Sequence, residues 1–586
     1  MLKIFFISML GTIAGLWIAV ILLVLGIAVA VGMAIGSDEA ANKIDDHSIL
    51  SLKLSGTIAE RADNQDFMSF VQNIDNDSPT LCDMLNSIRL AATDKKIDGI
   101  FIDAAGSAMG VASRQELVEA LAQFKQSGKW VYAYADNYAQ GDYLVSSVAD
   151  KVFLNPVGNV DIRGIGMMTP FFTALLDKLG VKVQVVKVGT YKSAVEPFIL
   201  TSMSEAARLQ NKVYIDTIWN YYTSTIAENR GVSPADVTAW ADSLTFAWKA
   251  EHDVDSRIVT ETAYRRNVEK MLRNLTDVSD DDELPLVTPA DYLSARNNKL
   301  ASASRDHVAV LYAFGDIVDS GEGGIAADVM VPQIIDLADD DNVKALVLRV
   351  NSGGGSAFAS EQIWEALEYF KSTGKPFYVS MGDFAASGGY YISCGADRIF
   401  ADATTLTGSI GVFGMIPDFS GLVTGKLGIT YSTVASGPNA TFMTLTQPMT
   451  PSQLASMQRY VEDTYDIFTS RVADGRHMSV DSVKAIAEGR VWVGSSALGL
   501  GLVDELGSLD ATVKAIAEKV GLEADRYVNY PDVKTDFIER LFEETSRLQA
   551  SKGIILDAET LRHITVVNRL RDMNPIQARM PEIELY

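Results

Sequence analysis

The sequence predicts two tandem α/β domains behind an N-terminal transmembrane helix, and three observations support this fold class. The first is an internal repeat with a spacing of about 245 residues, a length that suits duplicated domains rather than a solenoid. The second is the alternation, in both copies, of short β-branched strands such as IDGIFID and VKALVLRV with longer helical patterns. That alternation is typical of βα units around a largely parallel sheet. The third is a charge-free stretch between Lys3 and Asp38.

The charge-free stretch predicts a membrane anchor over residues 1–37. Its length exceeds the roughly 20 helical residues that cross a hydrocarbon layer of about 30 Å. The alternative is a cleaved signal peptide, but the apolar region of a signal peptide is only about 7–15 residues long. Lys3 before the span and the segment SDEAANKIDD after it favour a cytoplasmic N-terminus. We therefore expect a single-pass membrane protein whose main part lies outside the cytoplasm.

The two copies match element by element. The block from Leu117, LVEALAQFKQSGKWVYAYADNYAQGDY, aligns with the block from Ile363, IWEALEYFKSTGKPFYVSMGDFAASGGY. Both predict a helix, an FKxxGK turn, a strand and a second helix, and both continue into an ADKVF or ADRIF strand. Further on, the segments that begin at Met203 and Met449 each predict a long amphipathic helix opened by a Ser or Thr cap.

The repeat also sets the domain boundaries. The first α/β domain is expected at residues 46–275 and the second at residues 307–530. Residues 276–306 are acidic, contain proline and lack a clear period, so we interpret them as a linker. In the last segment, 531–586, the apolar positions of FIERLFEETSRLQA repeat at three and four, which predicts a helical tail.

Composition excludes several classes of function. The formal net charge of −25 argues against nucleic acid as a partner, because binding to phosphate requires clustered lysine and arginine. The two cysteines, Cys82 and Cys394, are too far apart in sequence to form a CxxC metal site or a disulfide framework. The five histidines lack metal-binding spacing. We therefore expect no metal site and no cofactor.

The positions at which the copies differ locate the predicted chemistry. When YADNYAQGDY is aligned with MGDFAASGGY, Ser387 falls opposite Gln140, so only the second copy has the serine. Only the second copy also has three consecutive glycines, residues 353–355, directly after a predicted strand. Glycines there would let backbone N–H groups face a ligand without a Cβ in the way, as in an oxyanion hole. The alternative is a tight strand-to-helix turn with no catalytic role.

The first copy has the complementary half of the predicted site. Its segment VGTYKSAVEPF contains Lys192, whereas the second copy has ASGPNATFMTL and no lysine there. A lysine accepts a proton from a serine only when its pKa falls from about 10.4 towards neutrality, which burial achieves. Two half-sites that meet across the domain boundary explain the pattern, with Ser387 as nucleophile and Lys192 as base. A solvated surface lysine is the alternative.

A third candidate is Ser409, in the segment DATTLTGSIGVFG. The first copy has NPVGNVDIRGIGMM there and no equivalent hydroxyl. A catalytic base is usually oriented by a third group, so Ser409 could hold the lysine amine in line. A plain turn serine is the alternative.

These segments resemble the signal peptide peptidase A (protease IV) family in its long, tandem-repeat form. The resemblance covers nearly the whole chain and is most specific at YKSAVEPF, GDFAASGGY and TLTGSIG. It implies a serine endopeptidase in which Ser387 is the nucleophile, Lys192 is the general base and Ser409 binds the lysine. It also implies the ββα superhelical fold of crotonases and Clp proteases.

The same resemblance implies a location, an assembly and a substrate. Members of the family form homo-oligomers, such as tetramers, in the inner membrane, with the catalytic part on the periplasmic side. Their substrates are residual signal peptides and other hydrophobic peptides. The family loop reads Asn-Ser-Pro-Gly-Gly, whereas residues 351–355 of this chain read Asn-Ser-Gly-Gly-Gly. Since two glycines remain, we expect Gly354 and the amide of Gly388 to form the oxyanion hole.

Three other functions compete with the Ser-Lys peptidase. The same fold hosts acyl-CoA enzymes of the crotonase type, which need no serine nucleophile, so the fold alone does not decide function. A Ser-His-Asp hydrolase would use His477, the nearest downstream histidine. A membrane-anchored scaffold with a degenerate site is the non-enzyme alternative.

Overall fold

The fold is described by a computed structural model that covers residues 44–61, 79–279, 282–296, 305–321, 324–531 and 576–580. The predicted anchor, residues 1–37, lies outside these ranges. Within them, no helix combines the length and the apolar character needed to cross a bilayer.

The strands of the first repeat are β1 (Ser48–Thr57), β2 (Ile97–Ala108), β3 (Trp130–Ala135), β4 (Tyr138–Ala139), β5 (Lys151–Leu154), β6 (Val160–Asp161), β7 (Lys182–Lys187), β8 (Glu261–Thr262) and β9 (Leu286–Val287). Six of them form a parallel sheet with the order β8-β5-β3-β2-β1-β9. Strands β4 and β6 form a separate parallel pair. Strand β7 leaves this repeat and joins a sheet of the second one.

Helices cover both faces of that sheet, as expected for βα units. They are α1 (Leu81–Thr93), α2 (Val111–Lys125), α3 (Gln140–Ser146), α4 (Thr173–Leu179), α5 (Glu196–Ile199), α6 (Glu205–Arg230), α7 (Pro234–Asp242), α8 (Ala250–Asp255), α9 (Arg265–Leu275) and α10 (Pro289–Ala295). One core, which includes Ile100, Leu117 and Val131, lies against one face, and a smaller cluster around Phe101 and Phe153 lies on the other.

The second repeat has a matching parallel sheet. Its strands are β10 (His307–Phe314), β11 (Ile317–Val318), β12 (Ile325–Ala326), β13 (Val343–Ser352), β14 (Gly354–Ser356), β15 (Phe377–Ala386), β16 (Arg398–Ala401), β17 (Leu406–Gly408), β18 (Phe413–Asp418), β19 (Val491–Val493), β20 (Glu505–Leu506), β21 (Tyr527–Tyr530) and β22 (Ile576–Arg579). The parallel order β20-β16-β15-β13-β10-β21 repeats the order of the first sheet, and β17 and β19 extend it from β15. The fold is therefore a duplicated α/β unit.

The helices of the second repeat follow the same plan. They are α11 (Ala327–Asp339), α12 (Ala357–Ser372), α13 (Gly388–Tyr391), α14 (Pro451–Gly475), α15 (Val480–Ile486), α16 (Gly494–Gly499) and α17 (Leu509–Lys519). The predicted caps of the two long helices are confirmed: Ser204 Oγ accepts the Ala207 N–H at 3.1 Å, and Thr450 Oγ accepts the Gln453 N–H at 3.3 Å. Each hydroxyl satisfies one of the unpaired N–H groups at a helix start.

A third sheet ties the repeats together. Its order is β12-β11-β14-β22-β18-β7. Strand β7, which comes from the first repeat, lies antiparallel to β18 of the second repeat. The paired residues run from Lys182 opposite Asp418 to Lys187 opposite Phe413. This pairing fixes the register between the repeats, because strand pairs are set by continuous backbone hydrogen bonding.

Buried charges also cross the interface between the repeats. Arg349, on β13, is 1% exposed and forms ion pairs with Glu60 and Glu116 of the first repeat. Asp383, on β15, accepts the Ala112 N–H at 2.8 Å and the Ser113 hydroxyl at 2.7 Å at the start of α2. The carboxylate thereby pairs with the positive end of the helix dipole.

Two predicted segments differ from the structure. The predicted linker, 276–306, contains β9, which pairs in parallel with β1, and α10, which packs against α1, so part of it belongs to the first domain. The predicted helical tail, 531–586, contains a strand, β22 (Ile576–Arg579), whose backbone pairs with β14 and β18. The helical pattern itself, in residues 537–550, lies outside the described residues.

Candidate active site

Lys192 lies in the loop that follows β7, just before a single 3₁₀ turn at Ser193–Val195. Because β7 pairs with β18, this loop of the first repeat is carried onto the second repeat. The Tyr191 N–H then donates to the carbonyl of Glu488 at 2.9 Å, which fastens the loop there. The lysine side chain therefore points into the second repeat, and it is completely buried.

Ser387 lies at the junction between β15 and α13. Its backbone has φ 56° and ψ −114°, a conformation that a non-glycine residue adopts only when its surroundings impose it. The Ser387 N–H donates to the carbonyl of Gly408 at 2.7 Å, and the chain then enters a short helical turn at two glycines, Gly388 and Gly389. This sharp turn places the serine hydroxyl at the end of the strand, facing the lysine.

The three predicted polar side chains meet at one point. Lys192 Nζ lies 2.7 Å from Ser387 Oγ, 3.1 Å from Ser409 Oγ and 3.0 Å from the Ser409 carbonyl oxygen. All three residues have no exposed surface. Both half-sites meet within one chain.

Burial lowers the pKa of Lys192 well below its usual value, because desolvation penalises the ammonium form. A neutral amine has two N–H donors and one lone pair. The Ser409 carbonyl and hydroxyl oxygens can accept the two N–H groups, which leaves the lone pair for the Ser387 hydroxyl at 2.7 Å. Ser409 in turn donates to the Gly489 carbonyl at 3.4 Å. The contacts thus fit a lysine that is ready to accept a proton from serine.

The predicted oxyanion glycines lie next to this group, and their amides differ. The Gly354 N–H donates to Ser352 Oγ at 3.1 Å, so this amide already has an acceptor. The Gly388 N–H has no acceptor among the described residues. A Cβ at Gly354 would lie 2.6 Å from the Gly388 nitrogen, so the two glycines border the same space. A free amide beside the nucleophile is the arrangement that stabilises a developing oxyanion.

Comparison with known proteins identifies the family. The model of "Peptidase family S49" matches residues 123–279 and 369–523, and a Clp protease model matches residues 316–405. The chain belongs to peptidase family S49. The two S49 matches correspond to the two repeats, with Lys192 in the first and Ser387 and Ser409 in the second.

Similar S49 proteins span most of the chain. Protease 4 of Haemophilus influenzae is 35% identical and covers 85% of this chain and 84% of its own. Protease 4 of Salmonella typhi is 36% identical, over 89% of this chain and 85% of its own. The chloroplastic serine protease SPPA of Arabidopsis thaliana is 26% identical, over 82% and 70%. The protein is thus a serine peptidase of the S49 family, which agrees with the predicted family and favours this function over the acyl-CoA enzyme and the inactive scaffold.

The remaining rival base, His477, does not suit an S49 catalytic role. It is exposed, in the turn that follows α14. The hydrogen-bond partner of the Ser387 hydroxyl is the lysine instead.

The corresponding position of the first S49 repeat is filled. Gln140 occupies the place of Ser387, and its side-chain oxygen accepts the N–H groups of Arg163 at 2.9 Å and Gly164 at 3.0 Å. Its side-chain nitrogen donates to the Gly164 carbonyl at 3.1 Å. The glutamine therefore binds the backbone of the loop that corresponds to the Ser409 loop of the second repeat.

Sequence analysis missed the segment that positions the S49 lysine, Glu488 to Arg490. Besides holding Tyr191, its backbone accepts the Ser409 N–H at the Arg490 carbonyl at 2.7 Å. A Cβ at Gly489, where φ is 74°, would lie 2.7 Å from Lys192 Cβ, so only glycine fits there. The need for glycine at position 489 becomes visible only once the fold is known, and the hydrogen bonds of this segment use backbone atoms that any residue supplies, so the sequence alone does not mark it.

Sequence analysis also missed a buried acid pair behind the S49 site. Asp402, 1% exposed, follows β16 and is the first residue of the segment DATTLTGSIGVFG that contains Ser409. Burial, reinforced by the nearby Glu116 carboxylate, raises the pKa of Asp402 well above its usual value. Both oxygens of Asp402 and Oε2 of Glu116 lack a donor among the described residues. A proton held on Asp402 and donated to Glu116 would satisfy two of these three oxygens.

Proposed function

We propose that this S49 peptidase is an endopeptidase with a Ser-Lys dyad. Ser387 attacks the peptide carbonyl carbon while its proton moves to the neutral Lys192 amine. The Gly388 N–H, with a glycine amide of the 353–355 loop, stabilises the oxyanion that forms. The protonated amine then gives its proton to the leaving amine, and water releases the acyl group by the same route in reverse. The observation that carries this proposal is the 2.7 Å contact between a serine hydroxyl and a fully buried lysine.

Ser409 is proposed as the residue that orients the Lys192 amine towards the Ser387 hydroxyl. Its hydroxyl and its carbonyl lie within 3.1 Å of Nζ. A buried amine that lost these acceptors would rotate away from the nucleophile, and a misplaced base loses much of its effect.

The proposed substrates are residual signal peptides and other hydrophobic peptides, cut in or near a membrane. The support is the family resemblance and the uncharged stretch from Ile4 to Ser37, which suits an anchor that spans the inner membrane once, with the catalytic part on the periplasmic side. The finer fold proposed for both repeats is the ββα superhelix of crotonases and Clp proteases, which the Clp protease match to residues 316–405 supports.

A homo-oligomer, such as a tetramer, is the proposed assembly, and the duplicated fold supports it. Within one chain, the start of α2 in repeat one meets Asp383 of repeat two. Of the equivalent partners, Asp136 of repeat one is exposed, and in the first turn of α12 of repeat two Phe358 is 60% exposed while Ala357 and Ala359 are buried. A head-to-tail contact repeated between chains closes into a ring. Light scattering on Phe358→Asp tests this assembly, and an unchanged mass would contradict it.

Labelling with a fluorophosphonate probe, followed by peptide mapping, tests the function. The probe forms a stable bond only with an activated serine, so we expect one modified residue, Ser387. Ser393→Ala is a matched control, because Ser393 is buried nearby and donates only to the Gly389 carbonyl at 2.6 Å. This control should label like the wild type, and Ser387→Ala should not label. Peptidase activity with labelling at another serine would refute the assignment.

A further inference from the structure

Arg490 directly precedes β19, and its side chain lies between two aromatic rings. Its guanidinium carbon is 4.9 Å from the centre of the Tyr191 ring and 4.1 Å from the centre of the Trp492 ring. A guanidinium within about 6 Å of an aromatic face is attracted by the quadrupole of the ring. The Arg490 guanidinium has no ion pair and no hydrogen bond with a described residue. The two rings are therefore the contacts that hold it.

The Tyr191 ring belongs to the residue directly before the base. Because Tyr191 comes from the first repeat and Arg490 from the second, the contact crosses the boundary between the repeats. The Tyr191 N–H donates to the Glu488 carbonyl at 2.9 Å, so its backbone and its side chain both bind the segment around Arg490. The hydrogen bond fixes the position of the loop, and the ring fixes its rotation about that bond. Together they set the direction in which the Lys192 side chain leaves the loop.

The Trp492 ring, on the other side of Arg490, packs against the support of the nucleophile. Its Nε1–H donates to the Ile486 carbonyl at 3.0 Å, which fixes the ring. A Cβ at Gly408 would lie 2.9 Å from Cδ1 of this ring, and the Gly408 carbonyl is the acceptor of the Ser387 N–H. The guanidinium thus joins the loop of the base to a ring that contacts the turn of the serine.

The backbone of Arg490 holds the third member of the site. Its carbonyl accepts the Ser409 N–H at 2.7 Å. The N–H of the next residue, Val491, donates at 2.8 Å to the side-chain oxygen of Gln210, a buried residue on α6 of the first repeat. The segment is therefore fixed to both repeats at the point where the guanidinium is held.

We propose that Arg490 is a positioning residue for the Ser-Lys pair: its side chain, stacked between Tyr191 and Trp492, holds the loop of Lys192 against the segment that binds Ser409. The inference rests on the proposed function, and Arg490 acts through Tyr191 rather than on the reacting atoms. Positioning of this kind matters because a misplacement of about 1 Å can cost about 10²-fold in rate. Arginine suits the task, since its flat and permanently charged guanidinium stacks on aromatic faces.

The experiment compares full-length Arg490→Gln with the wild type in peptide hydrolysis across pH. Loss of the stack should lower kcat by about 10- to 100-fold and leave KM within about threefold. Water admitted beside Lys192 should raise the pKa of its amine, since burial is what lowers it. The rise of kcat/KM with pH should therefore move to higher pH, so that the loss is larger near neutral pH than at about pH 10. Arg490→Lys keeps a cation over both rings and should retain most of the wild-type kcat.

Tyr191→Leu separates the stack from the charge of Arg490. It removes the ring and leaves the guanidinium in place, so it should lower kcat and move the pH profile as Arg490→Gln does. The other charged side chains near the base are those of Glu488, which is exposed, and Glu196, which accepts the Ser204 hydroxyl at 2.6 Å. Both stay unchanged in these variants. Tyr191→Phe keeps the ring and should behave like the wild type.

A double variant tests whether the two residues act as one unit. Tyr191→Leu combined with Arg490→Gln should lose no more activity than the more damaging of the two single substitutions, because both remove the same contact. Losses that multiply would mean that Arg490 acts independently of Tyr191, and they would overturn the inference.

The matched control is Arg398→Gln. Arg398 also lies over two rings of the second repeat, 5.9 Å from the centre of the Tyr378 ring and 5.1 Å from that of Phe400. Tyr378 is at the opposite end of β15 from Ser387, so this control should keep the wild-type kcat and pH profile.

Two results would overturn the inference. One is a wild-type kcat in Arg490→Gln, and the other is a kcat that falls by the same factor at every pH, as general destabilisation would cause. Fluorophosphonate labelling separates this failure from that of the proposed function. A wild type labelled at Ser387 together with either result refutes only the role of Arg490, whereas a wild type without labelling refutes the proposed function.

Discussion

Replacing Lys192 with methionine tests the proposed base most directly. Methionine keeps the length and the apolar stem of the side chain and removes the amine that lies 2.7 Å from Ser387 Oγ. A positioned base contributes about 10²- to 10⁴-fold, so kcat should fall by that factor, which is about 3–5 kcal/mol of activation free energy. KM should stay within about threefold, because a buried base contributes to the chemical step rather than to uniform binding.

The same substitution should leave the fold intact or stabilise it. In the folded state, burial lowers the pKa of Lys192 well below its usual value. Between that pKa and the unfolded value of about 10.4, the unfolded state binds more protons, so wild-type stability rises with pH in this window. Methionine removes the cost of keeping an amine uncharged, although the hydroxyls of Ser387 and Ser409 each lose a partner, which costs about 1–3 kcal/mol per group left unsatisfied.

The assay combines hydrolysis of a fluorogenic peptide between pH 6 and pH 10 with thermal unfolding over the same range, conditions chosen to span the lysine titration. Wild-type kcat/KM should rise with pH through one depressed pKa, since only the neutral amine accepts a proton. The matched control is Lys129→Met, because burial also lowers the pKa of Lys129, whose amine donates to the Ala91 carbonyl at 2.6 Å. A Lys192→Met protein that kept its kcat within about tenfold of the wild type would refute the dyad.

The remaining predictions concern assembly, location and pH. Because Lys192 and Ser387 meet within one chain, co-expressing Lys192→Met with Ser387→Ala should restore no peptidase activity; recovered activity would mean that sites form between chains. The full-length protein should stay in the membrane pellet after alkaline carbonate, and a mature N-terminus near Ser37 would contradict the anchor. Because the pKa of Asp402 is raised, the folded state binds this proton more tightly than the unfolded state, whose carboxyl has an ordinary pKa of about 4, so this group makes stability fall as pH rises from about 4 towards the folded pKa. Asp402→Asn should remove that fall in urea unfolding measured from pH 5 to pH 9, and a slope equal to that of the wild type would contradict the acid pair.

The sequence predicted the duplicated α/β fold because a repeat comparison averages over many residues. The blocks from Leu117 and Ile363 agree over a helix, a turn and a strand, so an error at one position changes little. The same comparison brought Lys192 and Ser387 forward, since each copy lacks what the other keeps. Their roles stay predictions, although the structure places them in contact.

Short elements with distant partners could not be predicted in this way. Strand β22 has four residues, too few for a period of two to be distinguished from chance, and its partners lie more than 150 residues earlier in the chain. Strand β9, in the predicted linker, has two residues. The segment from Glu488 to Arg490 makes its hydrogen bonds through backbone atoms. The identity of its side chains therefore did not indicate that it lies against Lys192.

A site divided between two domains requires that the domains dock in one geometry only. A base must lie within about 0.5 Å of its working position, and an apolar interface tolerates larger shifts at little cost. Arg349, fully desolvated between Glu60 and Glu116, contributes little net stability, because desolvation offsets much of the attraction. Any slippage, however, would leave a buried charge without its partner, at about 3–5 kcal/mol. The charged interface therefore contributes little to the stability of the protein and mainly holds the two domains in one relative position. In that position, a lysine from one repeat contacts a serine in the other.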